Sequence, residues 1–216
     1  MVHLTIGYKL LEIYPEIEDK GAFLLGTISP DAIMFRPGCK RSDKSKTHFC
    51  VGDEGWGFYT NYGEWTENLK ENIHSICNSV NRDFLFGYMC HIITDIENTR
   101  CFWTPARLSN DEIYQTAYLK DCAEIDYILL NTNINAYELW TMLEASNTHC
   151  LKGLYTIEDN SIMIEKMKSE LYYNRYPTPG YTPGSFTMPK VSKFMDEVIG
   201  KVMMYKKSMF DKDLAC

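Results

Sequence analysis

Residues 83–95 read Asp-Phe-Leu-Phe-Gly-Tyr-Met-Cys-His-Ile-Ile-Thr-Asp, and the fold is decided by how this run is read. It is apolar and long enough for about three helical turns. His91 and Asp95 stand four residues apart, a spacing that puts both side chains on one helical face, one turn apart. Leu85, Met89, Ile92 and Ile93 give apolar surface on more than one side, so the segment is expected to be a central helix running to about Asn98. A buried imidazole and a buried carboxylate both need partners. A shared metal ion would serve. So would a hydrogen bond between the two groups, or to other buried polar atoms.

Working outward, apolar periodicity predicts further helices. Residues 2–14 carry Val2, Leu4, Ile6, Leu10, Leu11 and Ile13. Residues 64–78 align Trp65, Leu69, Ile73 and Ile76, with His74 off that stripe as a surface or packing residue. Residues 102–108, Phe-Trp-Thr-Pro-Ala-Arg-Leu, are expected to break the central helix. A helix over about 109–130 can be capped by Ser109 or Asn110. Shorter helices are expected over 134–145 and 158–172, and a last one over 190–209. Prolines 177, 179, 183 and 189 with Gly180 and Gly184 mark residues 173–189 as an irregular connection, whose aromatics Tyr173, Tyr176, Tyr181 and Phe186 can tack it to the body or line a pocket. No two-residue alternation and no repeat is present. The chain reads as all-α, with residues 1–216 as a single helical domain.

Composition bounds the function. The 216 residues carry a formal net charge of −7 with 45% hydrophobic content, which argues against a protein that coats nucleic acid or an anionic membrane. No run approaches the length of a spanning helix, and no integral membrane association is expected. The first residues show no basic stretch leading into an apolar run, so no secretory leader is expected. Eight scattered cysteines without a Cys-x-x-Cys read as free thiols in a reducing, cytoplasmic compartment, with Cys77, Cys90 and Cys122 as small core residues.

Histidines and aspartates recur beside short apolar elements: His3, Asp31, His48, His91 and Asp95. Taken singly, each has an ordinary reading, such as a cap, a turn residue or a solvated side chain. Asp31 follows Pro30, which is expected to end a helix over the apolar run 22–28. His48 closes a basic polar loop, residues 36–47, whose Arg36, Lys40, Arg41, Lys44 and Lys46 can attract a phosphate. Together the five residues suit zinc, which takes imidazole nitrogen and carboxylate oxygen. Five ligands are too many for one open tetrahedral site and about right for two ions sharing a carboxylate. No Gly-x-Ser-x-Gly, His-Glu-x-x-His, phosphate-binding loop or dinucleotide fingerprint offers a rival chemistry.

Three stretches carry a resemblance: Phe23-Leu-Leu-Gly-Thr-Ile-Ser-Pro-Asp31, Thr47-His48, and Phe86-Gly-Tyr-Met-Cys-His91-Ile-Ile-Thr-Asp95. In order and spacing they resemble the zinc-dependent phospholipase C family, which is related in fold to P1-type nucleases. The resemblance covers about residues 1–130. It implies a single-domain multi-helix bundle and a hydrolase of phosphoric esters that uses a dinuclear zinc-activated water. It also implies that Asp31, His48, His91 and Asp95 hold one zinc, that Asp95 bridges to a second also bound by His3, and that Asp31 acts as base or orients the water. A further zinc site of the family has no counterpart in histidines here; Asp121 and Glu124, three apart, are the candidates for an altered one. The substrates implied are a phospholipid head group, a nucleotide or another small phosphoester. No stable nucleic-acid partner and no protein partner are expected. The alternatives are a nuclease or small-molecule phosphodiesterase of the same fold, and a non-catalytic metal-stabilised helical module.

Overall fold

A computed structural model describes residues 1–52, 56–109, 112–133, 135–173 and 178–210. Among the described residues there is no strand. The chain forms a multi-helix bundle: α1 (Val2–Ile13), α2 (Lys20–Gly26), α3 (Arg41–Thr47), α4 (Tyr62–Ile76), α5 (Arg82–Asn98), α6 (Thr104–Leu108), α7 (Glu112–Asn133), α8 (Ala136–Ala145), α9 (Ile157–Met167) and α10 (Met188–Phe210). No described helix is long and apolar enough to cross a membrane.

The central helix is α5. Asn81 caps it by accepting from the Phe84 amide, and every residue from Phe84 to Glu97 is buried. It packs against α1, α2, α4 and α10. Leu4, Ile6 and Leu10 of α1, Phe23 to Leu25 of α2, Trp65, Leu69 and Ile73 of α4, and Val198 and Val202 of α10 join its core. His74 is exposed, as its position off the α4 stripe implies.

α2 and α5 pack extensively, and glycines meet there backbone to backbone. A Cβ added to Gly26 would lie 2.2 Å from the Phe84 carbonyl oxygen, and one added to Gly87 would lie 2.0 Å from that of Phe23. No side chain fits at either position without moving a backbone, so glycine is what lets the two helices meet here.

Two local expectations are corrected, and a third, the helix end before Pro30, is met with an addition. Residues 36–47 do not remain a loop: Arg41–Thr47 form α3, whose start is held by the Lys40 amide donating to Asp43. Pro30 opens an element as well as closing one. It lies in the first turn of a 3₁₀ helix, Ser29–Phe35, where its missing N–H leaves no bond unmade. Residues 102–108 do not break the central helix. The path continues from α5 through a π turn, Thr99–Trp103, into α6, with Pro105 again at a helix start. Phe102 of that turn packs on Phe186 and Phe194, with ring centroids 4.9 and 5.3 Å away. That tertiary contact favours continued helix over the local signal.

Residues 178–187 of the connection are non-helical, whereas Tyr173 ends a π turn, Lys168–Tyr173, and Met188 and Pro189 already belong to α10. It is tied down by Asp121, which is fully buried and accepts from the Tyr181 hydroxyl at 2.5 Å and from the amides of Ser185 and Phe186 at 2.6 and 2.8 Å. Glu124 accepts from the Thr178 hydroxyl and amide. Both carboxylates considered for an altered zinc site are therefore engaged by this segment. Tyr176 and the side chain of Tyr173 lie outside the described residues, as does Asn110, one of the two candidate caps. Cys90 is buried, whereas Cys77 and Cys122 are only partly covered; all the described cysteines are free.

Candidate metal centre

Four side chains converge from three elements. Asp31 comes from the first turn of the 3₁₀ helix, His48 from the residue capping α3, and His91 and Asp95 from successive turns of α5. Each offers one ligand atom, and these atoms all lie within 4.8 Å of one another. His48 Nε2 is 3.1 Å from His91 Nε2, 3.5 Å from Asp31 and 3.2 Å from Asp95. His91 Nε2 is 3.9 Å from Asp31 and 3.7 Å from Asp95.

The backbone around the centre fixes how the imidazoles present themselves. His91 Nδ1 lies 2.7 Å from the Thr27 carbonyl oxygen, and His48 Nδ1 lies 2.9 Å from that of Lys44. A carbonyl only accepts, so both Nδ1 atoms carry the proton and both Nε2 atoms present lone pairs. Two lone pairs 3.1 Å apart, with two carboxylates beside them, have no proton to share. One buried oxygen of Asp31 makes no hydrogen bond of good geometry, although Lys44 Nζ is 2.6 Å away as an ion pair. Two nitrogens and two oxygens at these spacings fit a zinc ion. With metal–ligand bonds of about 2.1 Å, the edge of a tetrahedron is about 3.4 Å. The five pair distances, 3.1 to 3.9 Å, lie around that edge, with Asp31 facing His48 through Oδ1 and His91 through Oδ2.

Further contacts hold the donors in place. The Thr27 carbonyl reaches His91 because Gly26 and Gly87 let α2 approach α5. The Tyr88 hydroxyl donates to the Thr47 carbonyl at 2.5 Å, and Trp65 Nε1 donates to the His48 carbonyl at 2.7 Å. Phe49, next in the chain, has φ of 52°, the left-handed conformation that ends many helices but that costs a non-glycine residue roughly 1 kcal/mol or more. Asn68 secures this turn by donating to the Phe49 carbonyl at 2.6 Å. The 3₁₀ helix bearing Asp31 is clamped to α9 by Arg36, which forms a two-point pair with Asp159 at 3.0 and 2.6 Å.

His3 is the fifth residue of the sequence set and stands beside the four. Its Nε2 is 3.1 Å from Asp95 Oδ1, while the other oxygen of Asp95 faces His48. Its ring stacks on His91, centroids 4.0 Å apart. Asp95 thus addresses the four-residue centre with one oxygen and His3 with the other.

Charge states follow from burial and from Lys44. Burial pushes the His48 and His91 imidazoles below the ordinary histidine range. Burial alone would raise the Asp31 and Asp95 carboxyls. Lys44 and the neighbouring histidines together outweigh it, and both titrate below the usual carboxylate range. Neutral imidazoles beside ionised carboxylates are the form that binds metal.

A cavity of about 440 Å3 opens on the centre, lined by Asp31, Asp95 and Lys44 together with Trp56, Trp103 and Tyr118. Trp103 reaches it from the π turn that extends α5, a deviation common at functional sites. The sequence reading had Lys44 as one of five basic-loop residues with no means of separating them. Trp56 meets the His48 ring edge-on, 4.6 Å between centroids.

An all-helical bundle with a centre of two imidazoles and two carboxylates beside a cavity supports a metal-dependent hydrolase. Residues 2–96 match the family model described as zinc-dependent phospholipase C, the family that the sequence resembles, and the matched stretch spans His3, Asp31, His48, His91 and Asp95. No curated protein and no solved structure gives a significant match.

Proposed function

We propose that the protein hydrolyses phosphoric esters in the manner of a phospholipase C, with two zinc ions and a water as nucleophile. The observation that supports this most is the facing pair of Nε2 lone pairs of His48 and His91, 3.1 Å apart between two ionised carboxylates. Asp31, His48, His91 and Asp95 would hold one ion, and Asp95 would share its second oxygen with the other alongside His3. Bound zinc supplies Lewis acidity toward a phosphoryl oxygen and lowers the pKa of water.

The chain's own residues do the rest. Asp31 lines the cavity and its side chain is one-third exposed, so it can orient the attacking water and accept its proton. Thr27 and Lys44 hold the two imidazoles in one tautomer through their carbonyls. The aromatic walls exclude water around the phosphorus and flank the esterified group. A volume of about 440 Å3 suits a head group, a nucleotide or a similar small phosphoester. The free cysteines fit a cytoplasmic location.

The test is elemental analysis of the purified chain, followed by turnover of bis-p-nitrophenyl phosphate with and without chelator. The reading expects bound zinc, chelator-sensitive hydrolysis, and loss of both in a folded His91→Ala variant. Less than one transition metal per chain with no zinc-dependent turnover would overturn it. Stoichiometric zinc without turnover on a panel of diesters and monoesters would identify a metal-stabilised module.

A further inference from the structure

Resting on that reading, we propose that Lys44 is the residue that binds the substrate's phosphoryl group, a cation set beside the metal centre. Lys44 lies one helical turn before His48 in α3 and serves the centre twice. Its carbonyl receives the His48 Nδ1 proton at 2.9 Å. Its ammonium turns back to the same place, 2.6 Å from Asp31 Oδ1 and 3.6 Å from Asp95 Oδ2. The side chain is only 16% exposed, and the ammonium sits over the Trp56 ring, 4.3 Å from its centroid. Trp56 and Lys44 therefore form one piece of the cavity wall, next to both carboxylates.

The other described basic side chains of this region do not line the cavity. Arg36 is committed to Asp159. Lys46 pairs with Asp43 and is 71% exposed, and Lys40 is exposed. The side chain of Arg41 lies outside the described ones. Among the described residues that line the cavity, Lys44 is the one cation. A lysine buried at this depth needs anionic company. Without metal, Asp31 and Asp95 supply it. Metal on those carboxylates draws off their charge, leaving the ammonium with three donors and a weakened claim on its partners. A phosphoryl oxygen entering the cavity restores an anionic partner. The four-carbon stem lets the ammonium swing from carboxylate to phosphate without moving α3, and lysine binds phosphate as a point charge.

A purely structural lysine, present to neutralise the carboxylates, makes a different prediction. Its removal would alter metal uptake and leave the anion affinity of the loaded protein alone. The experiment uses the full chain loaded with zinc and dialysed free of excess, as wild type, Lys44→Met and Lys44→Arg. It measures zinc per chain by elemental analysis and the Kd of inorganic phosphate by calorimetry. The proposal expects unchanged or higher zinc content in Lys44→Met, phosphate binding weakened at least tenfold, and partial recovery in Lys44→Arg. Phosphate affinity within twofold of wild type in zinc-loaded Lys44→Met overturns it. If Lys44→Met fails to fold by circular dichroism, Lys44→Gln is held to the same thresholds. Zinc-loaded wild type that binds phosphate while Lys44→Met binds it equally removes only the lysine assignment. A wild-type chain that takes up no zinc removes both this proposal and the hydrolase reading.

Discussion

Gly87→Ala tests whether the α2–α5 contact builds the metal centre. The added Cβ would lie 2.0 Å from the Phe23 carbonyl oxygen. Carbon and oxygen rest at about 3.3–3.6 Å, so the helices must separate by roughly 1.3–1.6 Å or tilt by an equivalent amount. The hydrogen bond from His91 Nδ1 to Thr27 is 2.7 Å long and spans this same gap. Such a shift takes it beyond hydrogen-bonding distance. Asp31, which follows α2, moves away from His91 and Asp95, which ride on α5. Metal sites tolerate only about 0.2 Å in each bond, so zinc affinity should fall steeply. Overpacking costs about 1–3 kcal/mol and an unsatisfied buried histidine about 1–3, offset by up to ~1 from better helix propensity, for a net loss of about 1–6 kcal/mol. In a chain of this size that lowers Tm by roughly 2–24 °C. Gly200→Ala is the control: Gly200 lies exposed in α10 with nothing within 4 Å of an added Cβ. It should gain up to ~1 kcal/mol and keep its metal. Thermal unfolding and zinc content are the readouts. A Gly87→Ala variant with wild-type Tm and full zinc would refute the reasoning.

Three more outcomes are expected. His3→Ala should fold and keep the ion of the four-residue centre while losing the second, seen as about one zinc fewer per chain; unchanged stoichiometry would remove His3 as a ligand. Asp121→Ala strands the Tyr181 hydroxyl and the amides of Gly184, Ser185 and Phe186, and should cost about 2–3 kcal/mol in urea unfolding with zinc content intact; loss of zinc would make Asp121 a ligand instead. Arg36's hydrogen bonds, against a smaller opposing effect of burial, hold the Asp159 carboxyl below its ordinary value. That stabilisation is fully present above the unfolded value of about 3.9 and is lost as pH falls through the lowered folded value. Asp159→Asn should therefore flatten the acid limb of the urea midpoint below about pH 5; an acid limb parallel to wild type would contradict this.

Much of the bundle was legible because burial writes itself into periodicity. Val2–Ile13, Arg82–Asn98 and Met188–Phe210 all lie within a few residues of the helices read from apolar spacing. The short helix Arg41–Thr47 was not legible. It has no apolar stripe, and its tertiary ties, through the Lys44 side chain to Asp31 and the Thr47 carbonyl to Tyr88, lead to residues outside the segment. The continuation through Thr99–Trp103 was hidden for a like reason, since Phe102 is held by aromatic rings of the C-terminal region.

The sequence by itself determined which residue types were available and their local order: an aspartate after Ser-Pro, a histidine after threonine, and a histidine and aspartate one helical turn apart. Helical geometry alone puts His91 and Asp95 on one face, because a repeat of 3.6 residues acts within a single segment. Only the tertiary structure decided that Asp31 and His48 meet them, that His3 takes the other oxygen of Asp95, and that Lys44, alone among the described basic side chains around it, turns inward. Those choices depend on how closely two helices approach at Gly26 and Gly87. That distance is set by steric contact between segments some sixty residues apart, which no local pattern encodes.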